Sequence, residues 1–281
     1  MLSMSVSIFL LILLAAFIHA TWNSVVKSSD NKYFATGALA FVTSLILFFF
    51  LPFVPFPYDG ALPYFIASVV LQIIYYILLA KTYKIADIGL SYPLMRGTAP
   101  LFVSLFSYFI WGESITGLGW VSILCIVLGI LWLGFSSIKN ATLPAILLSL
   151  TNATIIAIYT IIDALGVRAS GSALSYSVWL FFISTLIVAI WVLFWDRHAF
   201  MPYLKRNWKS GMVAGIGSSL SYGIILWCML HAPIYMVSAL RETSIFFVII
   251  IAIFFLKEKT SITRIISAIL ILLGAMLLKV S

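Results

Sequence analysis

Ser91-Tyr92-Pro93-Leu94-Met95-Arg96-Gly97-Thr98-Ala99-Pro100 opens an apolar run that ends at Trp111-Gly112-Glu113. A weaker copy, Ser238-Ala239-Leu240-Arg241-Glu242-Thr243, opens a second run that ends at Leu256-Lys257-Glu258. Arg96 and Arg241 lie 145 positions apart (241 − 96), and so do Glu113 and Glu258, and Gly129 and Gly274. One register through three marked positions reads as a duplicated chain, with halves at 1–138 and 139–281. The remaining sequence is read against that duplication.

Composition sets the solvent. The chain is 64% hydrophobic and 9% charged over 281 residues, and its mean hydropathy is +1.19. Soluble domains carry about 45–50% apolar and about 25% charged residues, so the chain reads as an all-α polytopic membrane protein. Continuous runs such as 245–256 argue against a porin-like barrel, whose strands alternate. Cys125 and Cys228 both sit in apolar segments and read as small core hydrophobes. The net charge of +8 gathers at segment ends and not in a stripe, so nucleic acid is not the expected partner. Residues 1–20 lack a basic leader, and His19 and Asn23 follow in frame, which reads as a retained first helix.

Ten segments of spanning length can be marked: 3–26, 33–54, 62–80, 89–111 and 115–136, then 142–166, 173–195, 210–231, 235–256 and 262–280. At 1.5 Å per residue each crosses a hydrocarbon core of about 30 Å. The connections are short except 195–210. Odd-numbered connections hold twelve of the sixteen Lys and Arg, from Lys27 and Lys32 to Lys259 and Arg264, and the other side holds Arg168 and Lys279. That bias puts the twelve in the cytoplasm and both termini outside. Five crossings per half invert the second half relative to the first. Inverted repeats of this kind recur in secondary transporters, with the site near the midplane.

At these residues the chain resembles the drug/metabolite transporter superfamily, specifically EamA-type ten-helix carriers. The resemblance rests on Tyr92-Pro93, Arg96-Gly97-Thr98-Ala99-Pro100, Gly112-Glu113 and its echo Lys257-Glu258. His19-Ala20-Thr21-Trp22-Asn23 and the stretch from Tyr159 to Arg168 also look family-like. It implies a carrier that moves small metabolites by alternating access, without ATP, and does not fix the substrate. The second repeat departs from the first, with Arg241-Glu242-Thr243 in place of Arg-Gly-Thr.

A charge inside the bilayer costs at least about 2.5–3.5 kcal/mol and usually faces a cavity or partner. Arg96 and Arg241 therefore read either as paired donors for a carboxylate or phosphate, or as snorkelling or internally paired residues, Arg241 with Glu242. Helix 6 carries Ala145, Ser149, Asn152, Ile156, Tyr159 and Asp163 on one face; helix 1 carries Ala16, His19 and Asn23 in the same way. The expected cavity wall is His19, Asn23, Gln72, Tyr76, Arg96, Asn152, Tyr159, Tyr222 and Arg241, with Ser68, Tyr75, Ser218, Ser221 and Trp227 on the same helices. His19, Asp163 and Glu242 are the candidates for ion coupling; alternatively His19 is a packing residue and Asp163 an interfacial carboxylate near Arg168. Pro93, Gly97 and Pro100 are expected to form a hinge in helix 4. Glu113 and Glu258 are expected to anchor the turns after helices 4 and 9 through backbone amides.

No P-loop, His/Cys metal spacing or Gly-x-Ser-x-Gly elbow is present, so neither an enzyme, a metal nor a cofactor is expected. The leading reading is a secondary carrier in the cytoplasmic (inner) membrane that exports or exchanges a small polar metabolite bearing a carboxylate or phosphate. Its partners would be the solute, the bilayer, and a proton or counter-substrate. A single chain suffices, and a dimer is compatible. An organic-cation exporter would want an unpaired membrane carboxylate, for which only Asp163 and Glu242 qualify; a lipid flippase is the other transport alternative. From another class, a receptor or scaffold would want an extramembrane surface, and the sequence offers none.

Overall fold

The computed structural model describes residues 4–57, 60–85, 88–135, 142–254 and 261–281. Glu258, expected to anchor a turn, lies outside the described residues. Helices follow one another as α1 (Val6–Lys27), α2 (Lys32–Phe50), α3 (Leu62–Ile85), α4 (Ile88–Phe109), α5 (Gly117–Gly134), α6 (Leu143–Ser170), α7 (Ala173–His231), α8 (Ile234–Arg241), α9 (Ser244–Phe254) and α10 (Ile262–Val280). No strand occurs among the described residues. Small polar residues start these helices: the side chains of Ser5, Asn31, Thr116, Thr142, Ser172 and Ser261 each accept an amide of the first turn, satisfying donors that the helix itself leaves open.

The bundle is apolar outside and polar within. Leu10, Leu14 and Phe17 of α1, Leu124 and Leu128 of α5, and Ile269, Leu272, Leu273 and Met276 of α10 are all exposed. Asn152, Asp163, Glu242 and thirteen serines are fully buried or nearly so, from Ser68 at 0% to Ser177 at 7%. Contiguous apolar surface on this scale does not face water. By length and composition, eight of the helical stretches among the described residues can cross a membrane. The protein is a membrane-embedded, multi-pass bundle.

Two elements depart from the sequence-based expectation. The connection expected at 195–210 is helical, so α7 runs for 59 residues with non-helical backbone only at Asp196 and Asn207. A straight helix of that length would measure about 90 Å; the two bends lay 197–206 against α2. The cause is amphipathic spacing. Phe200 and Leu204, four apart, are buried with Ala38, Val42 and Val192, while Arg197, Lys205, Arg206 and Lys209 point outward. The second departure concerns breaks. The expected ninth segment is divided at Glu242–Thr243, where the amides of Glu242, Thr243 and Ile245 bond three residues back, to Ala239, Leu240 and Glu242. Thr243 Oγ1 also bonds the Leu240 carbonyl at 2.7 Å. By contrast α4, with Pro93 and Pro100 inside it, is one continuous helix. At Gly97 the close contact is with α5: a Cβ there would stand 3.0 Å from Leu131, so the glycine lets α4 lie close on α5.

The helices pack in an interchanged pattern. α3 lies on α6, and α1 on α7; α4 lies on α6, and α1 on α8 and α9; α4 packs on α5, and α9 on α10. α5 and α10 pack on each other. At that seam a Cβ on Gly129 would meet Leu270 at 2.9 Å, Ile271 at 3.1 Å and the Ser267 carbonyl at 3.1 Å. A Cβ on Gly274 would meet Ile126 at 2.7 Å and the Ser122 carbonyl at 2.7 Å. Ser122 and Ser267, like Ile126 and Ile271, are separated by the same 145 positions as the glycines (267 − 122). The contact is thus reciprocal, in the manner of an isologous interface, and it uses small residues to bring backbones together as membrane helices do.

Gly274→Ala must push against backbone atoms and should lower the unfolding midpoint of the detergent-purified protein, at an overpacking cost of about 1–3 kcal/mol. Gly129→Ala should act in the same direction and less strongly. Gly117→Ala, with nothing within 4 Å of its Cβ position, should leave the midpoint unchanged.

Candidate functional site

A cavity of about 200 Å³ lies where α1, α3, α4, α6, α7 and α8 converge. α1 contributes Ala15, His19, Trp22 and Asn23, and α3 contributes Gln72, Tyr75 and Tyr76. α4 adds Tyr92 and Arg96, α6 adds Tyr159, and α8 adds Arg241. From α7 come Phe181 and, forty residues on, Ser218, Ser221, Tyr222 and Ile225. Helical spacing produces this convergence: 15, 19, 22 on α1, 72, 75, 76 on α3, and 218, 221, 222, 225 on α7 each follow steps of three and four along one face.

Arg96 and Arg241 reach the wall from different elements and meet at one carboxylate. Glu242 is fully buried; its Oε2 is 2.9 Å from Arg96 Nη2 and its Oε1 is 3.5 Å from Arg241 Nε. Arg96 Nη2 also lies 3.5 Å from Ser244 Oγ. The helix break puts Glu242 in reach, because the tightened turn between α8 and α9 separates its side chain from the regular ladder. Two guanidiniums against one carboxylate leave one positive charge in excess. Arg96 Nε and Trp22 Nε1 are buried at the cavity with no hydrogen-bond partner in the protein, so the wall presents unused donors. His19 stands edge-on to Trp22 at 5.0 Å, within electrostatic reach of both arginines. Asn23 donates to the His19 carbonyl one turn back at 3.2 Å.

Eight of the nine residues expected at the wall line the cavity. Asn152 does not. Its side chain is fully buried between α6 and α4, where Nδ2 donates to the Met95 sulfur at 3.0 Å, so it packs one helix on the other. Trp227 is also off the cavity: it faces the membrane side of α7, 42% exposed, against His231. Ser68 sits behind the wall and accepts from Gln72 Nε2 at 3.2 Å. Five lining residues, Ala15 among them, were not singled out as cavity residues. Tyr92 precedes Arg96 by one turn, a spacing that could have found it, and Trp22 lies between His19 and Asn23. Phe181 and Ile225 sit in apolar runs with nothing to mark them.

Asp163 is no interfacial carboxylate. It is fully buried, accepting from Tyr222 Oη at 2.6 Å and from Tyr176 Oη at 3.2 Å. Arg168 points elsewhere: its Nε and Nη2 bond the carbonyls of Met229 and Ala232 at 3.0 and 3.2 Å, near the end of α7, where carbonyls lack helical partners. Glu113 joins the same cluster. Its Oε1 accepts the Ile234 amide at 3.2 Å and lies 3.9 Å from Arg168 Nη2. Instead of anchoring the α4–α5 turn, Glu113 caps the start of α8, where a carboxylate meets the positive end of the helix. At the same end Trp179 Nε1 bonds the Val54 carbonyl at 3.1 Å, Ser175 Oγ bonds the Pro55 carbonyl, and Phe56 packs on Phe65 and Trp179. These contacts tie the connection after α2 to α3 and α7 at this end of the bundle. At the other, the end of α1 and the middle of α7 enclose a second crevice of about 180 Å³, lined by Ser28, Asp30, Tyr203 and Asn207 among others.

Breaking a buried pair by removing one partner strands the other charge, at about 3–5 kcal/mol. Arg96→Met should therefore lower stability by that order, and Arg96→Met with Glu242→Gln should cost less than the sum of the two. A double-mutant cycle in detergent should return a coupling of at least about 1 kcal/mol. The exposed Arg206–Asp30 pair at 3.8 Å should show none.

With the geometry in hand, comparisons with known proteins agree with the architecture. The profile of the EamA-like transporter family matches residues 6–135 and again 143–280. Among curated proteins no relative matches the chain. A solved structure named only "Crystal structure of protein" superposes with a TM-score of 0.74 at 16% identity, over 96% of this chain and 94% of that one; at that identity it bears on the fold alone. Two matches of one family profile, together spanning nearly the whole chain, identify the protein: it belongs to the EamA-like transporter family, within the drug/metabolite transporter superfamily.

Proposed function

We propose that the protein is a secondary carrier that moves a small polar solute bearing a carboxylate or phosphate, such as an amino acid, by alternating access across the cytoplasmic membrane, in export or exchange. The observation that carries this reading is the Arg96–Glu242–Arg241 group, whose two arginines line the cavity wall with Glu242 buried behind them. It holds one positive charge in excess beside the unused N–H donors of Arg96 and Trp22, and a guanidinium matches carboxylate and phosphate alike. Tyr75, Tyr76, Tyr92, Tyr159 and Phe181 supply aromatic and hydroxyl surface for the rest of the solute. A cation would meet the wrong charge here, since no carboxylate among the described residues lines the cavity: Glu242, behind the wall, is already engaged and Asp163 lies behind Tyr222.

Ten crossings are supported by counting α7 as two, α8 with α9 as one, and α4 as one. Five then fall to each half, with the second inverted. The reciprocal seam at Gly129 and Gly274 and the paired packing of α3 on α6 and α1 on α7 support that symmetry. With the twelve basic residues inside, the end that holds Glu113 and Arg168 faces outward, as do both termini. Glu113 and Arg168 then act as an outer latch that opens in transport.

Uptake into proteoliposomes of a panel of amino acids, phosphorylated metabolites and organic cations tests the assignment. An anionic or zwitterionic solute should move, and Arg241→Ala should lose at least about tenfold in transport at low solute, as loss of a charge-assisted hydrogen bond of about 1.5–3 kcal/mol requires. Movement of cations alone, with Arg241→Ala unaffected, would overturn it. Reporters fused to each terminus should both read as external; two cytoplasmic readings would reverse the orientation.

A further inference from the structure

We infer that Asp163 is the proton-binding site of this carrier, and that its proton crosses in the same direction as the anionic solute; the inference rests on the function proposed above. Ionisable residues inside a membrane mark ion pathways and proton relays, and the surroundings of Asp163 decide which. Among the described residues no cation comes within ion-pair distance of its carboxylate, which is fully buried. The groups facing it are few. α7 offers the phenols of Tyr176 and Tyr222, α3 offers Ser68 with Gln72 behind it, and α6 itself has Tyr159 one turn away. Arg241 of α8 acts on it from a distance, and Arg168 is committed to carbonyls and Glu113.

Access separates a proton from every larger ligand. Asp163 does not line the cavity, whereas Tyr222 does. The Tyr222 hydroxyl donates to Asp163 Oδ2 at 2.6 Å, so it can pass that proton to the carboxylate while its oxygen takes another from the cavity. The net change is one proton on Asp163, with Tyr222 unaltered. Tyr176 cannot serve in the same way, being fully buried and wedged so tightly that a Cβ on Gly166 would stand 2.5 Å from its ring. It holds the carboxylate in place.

Charge supplies the coupling. With Asp163 ionised, Arg96 and Arg241 are balanced by Glu242 and Asp163; with Asp163 protonated, one positive charge is left for a monoanion. Proton and anion therefore favour each other's binding, and by linkage the effect is mutual.

Two measurements test this. In an infrared pH titration of the purified protein, a carboxyl band should appear on acidification, disappear in Asp163→Asn and move in Tyr222→Phe. A spectrum unchanged in Asp163→Asn overturns the site whether or not any solute is transported. In proteoliposomes holding a pH dye, entry of a carboxylate from the panel should acidify the lumen. Asp163→Asn should keep solute–solute exchange and lose gradient-driven accumulation at least tenfold, and Tyr222→Phe, which keeps the carboxylate, should slow it. Wild-type accumulation that ignores the pH gradient, or alkalinisation of the lumen as solute enters, overturns the inference. Failure of every carboxylate to move refutes the proposed function instead, and the infrared titration still decides the proton site.

Discussion

Burial of Glu242 between two arginines is the constraint on which the interior depends. An isolated charge in a bilayer core is too costly to keep, and neither guanidinium can shed its own. One carboxylate satisfying both, from the tip of a turn, draws α4, α8 and α9 to a single point. The other walls have then only to close around it. Because the α8–α9 break supplies that carboxylate, the interruption of the helix and the polarity of the cavity are one structural fact.

The two halves solve the same local problem with different chemistry. α4 carries two prolines and stays continuous, its close approach to α5 secured by Gly97. Its counterpart carries no proline after Pro233 and breaks, because three-residue hydrogen bonds and the Thr243 hydroxyl take over where Glu242 turns aside. Loss of a ladder bond at proline is thus neither necessary nor sufficient for a break. What matters is whether a buried side chain has somewhere worth reaching. At the end of the bundle that holds Glu113 the same logic recurs in milder form, with Arg168 serving carbonyls orphaned at the end of α7 and Glu113 serving an amide at the start of α8.

Much of this was legible in the sequence, and the failures have identifiable causes. Register and hydropathy carried the duplication and nearly every helix, because both depend on local composition. Eight cavity residues could be named because polar groups in an apolar helix must face inward. Asn152 obeys the same rule and still misses the cavity, since inward also means toward a neighbouring helix, and Met95 stands there. The interfacial alternative for Asp163 and the turn-anchoring role for Glu113 fail for a related reason. Position along a helix reveals depth but not which partner approaches from another element, and their partners lie 59 and 121 residues away, at Tyr222 and Ile234. The helical linker at 197–206 was hidden by its charges, although Phe200 and Leu204 marked its buried face.

The α5–α10 seam has a meaning beyond packing. Each glycine there rests against the counterparts of the residues that press on the other, so exchanging the two halves leaves the contact as it was. In the alternating-access cycle proposed above, one half takes the posture of the other, and most interfaces would be remade at every turn. This one is its own image and has nothing to remake. In that cycle it would serve as a fulcrum, stationary in both postures, so close packing at Gly129 and Gly274 would cost the motion nothing.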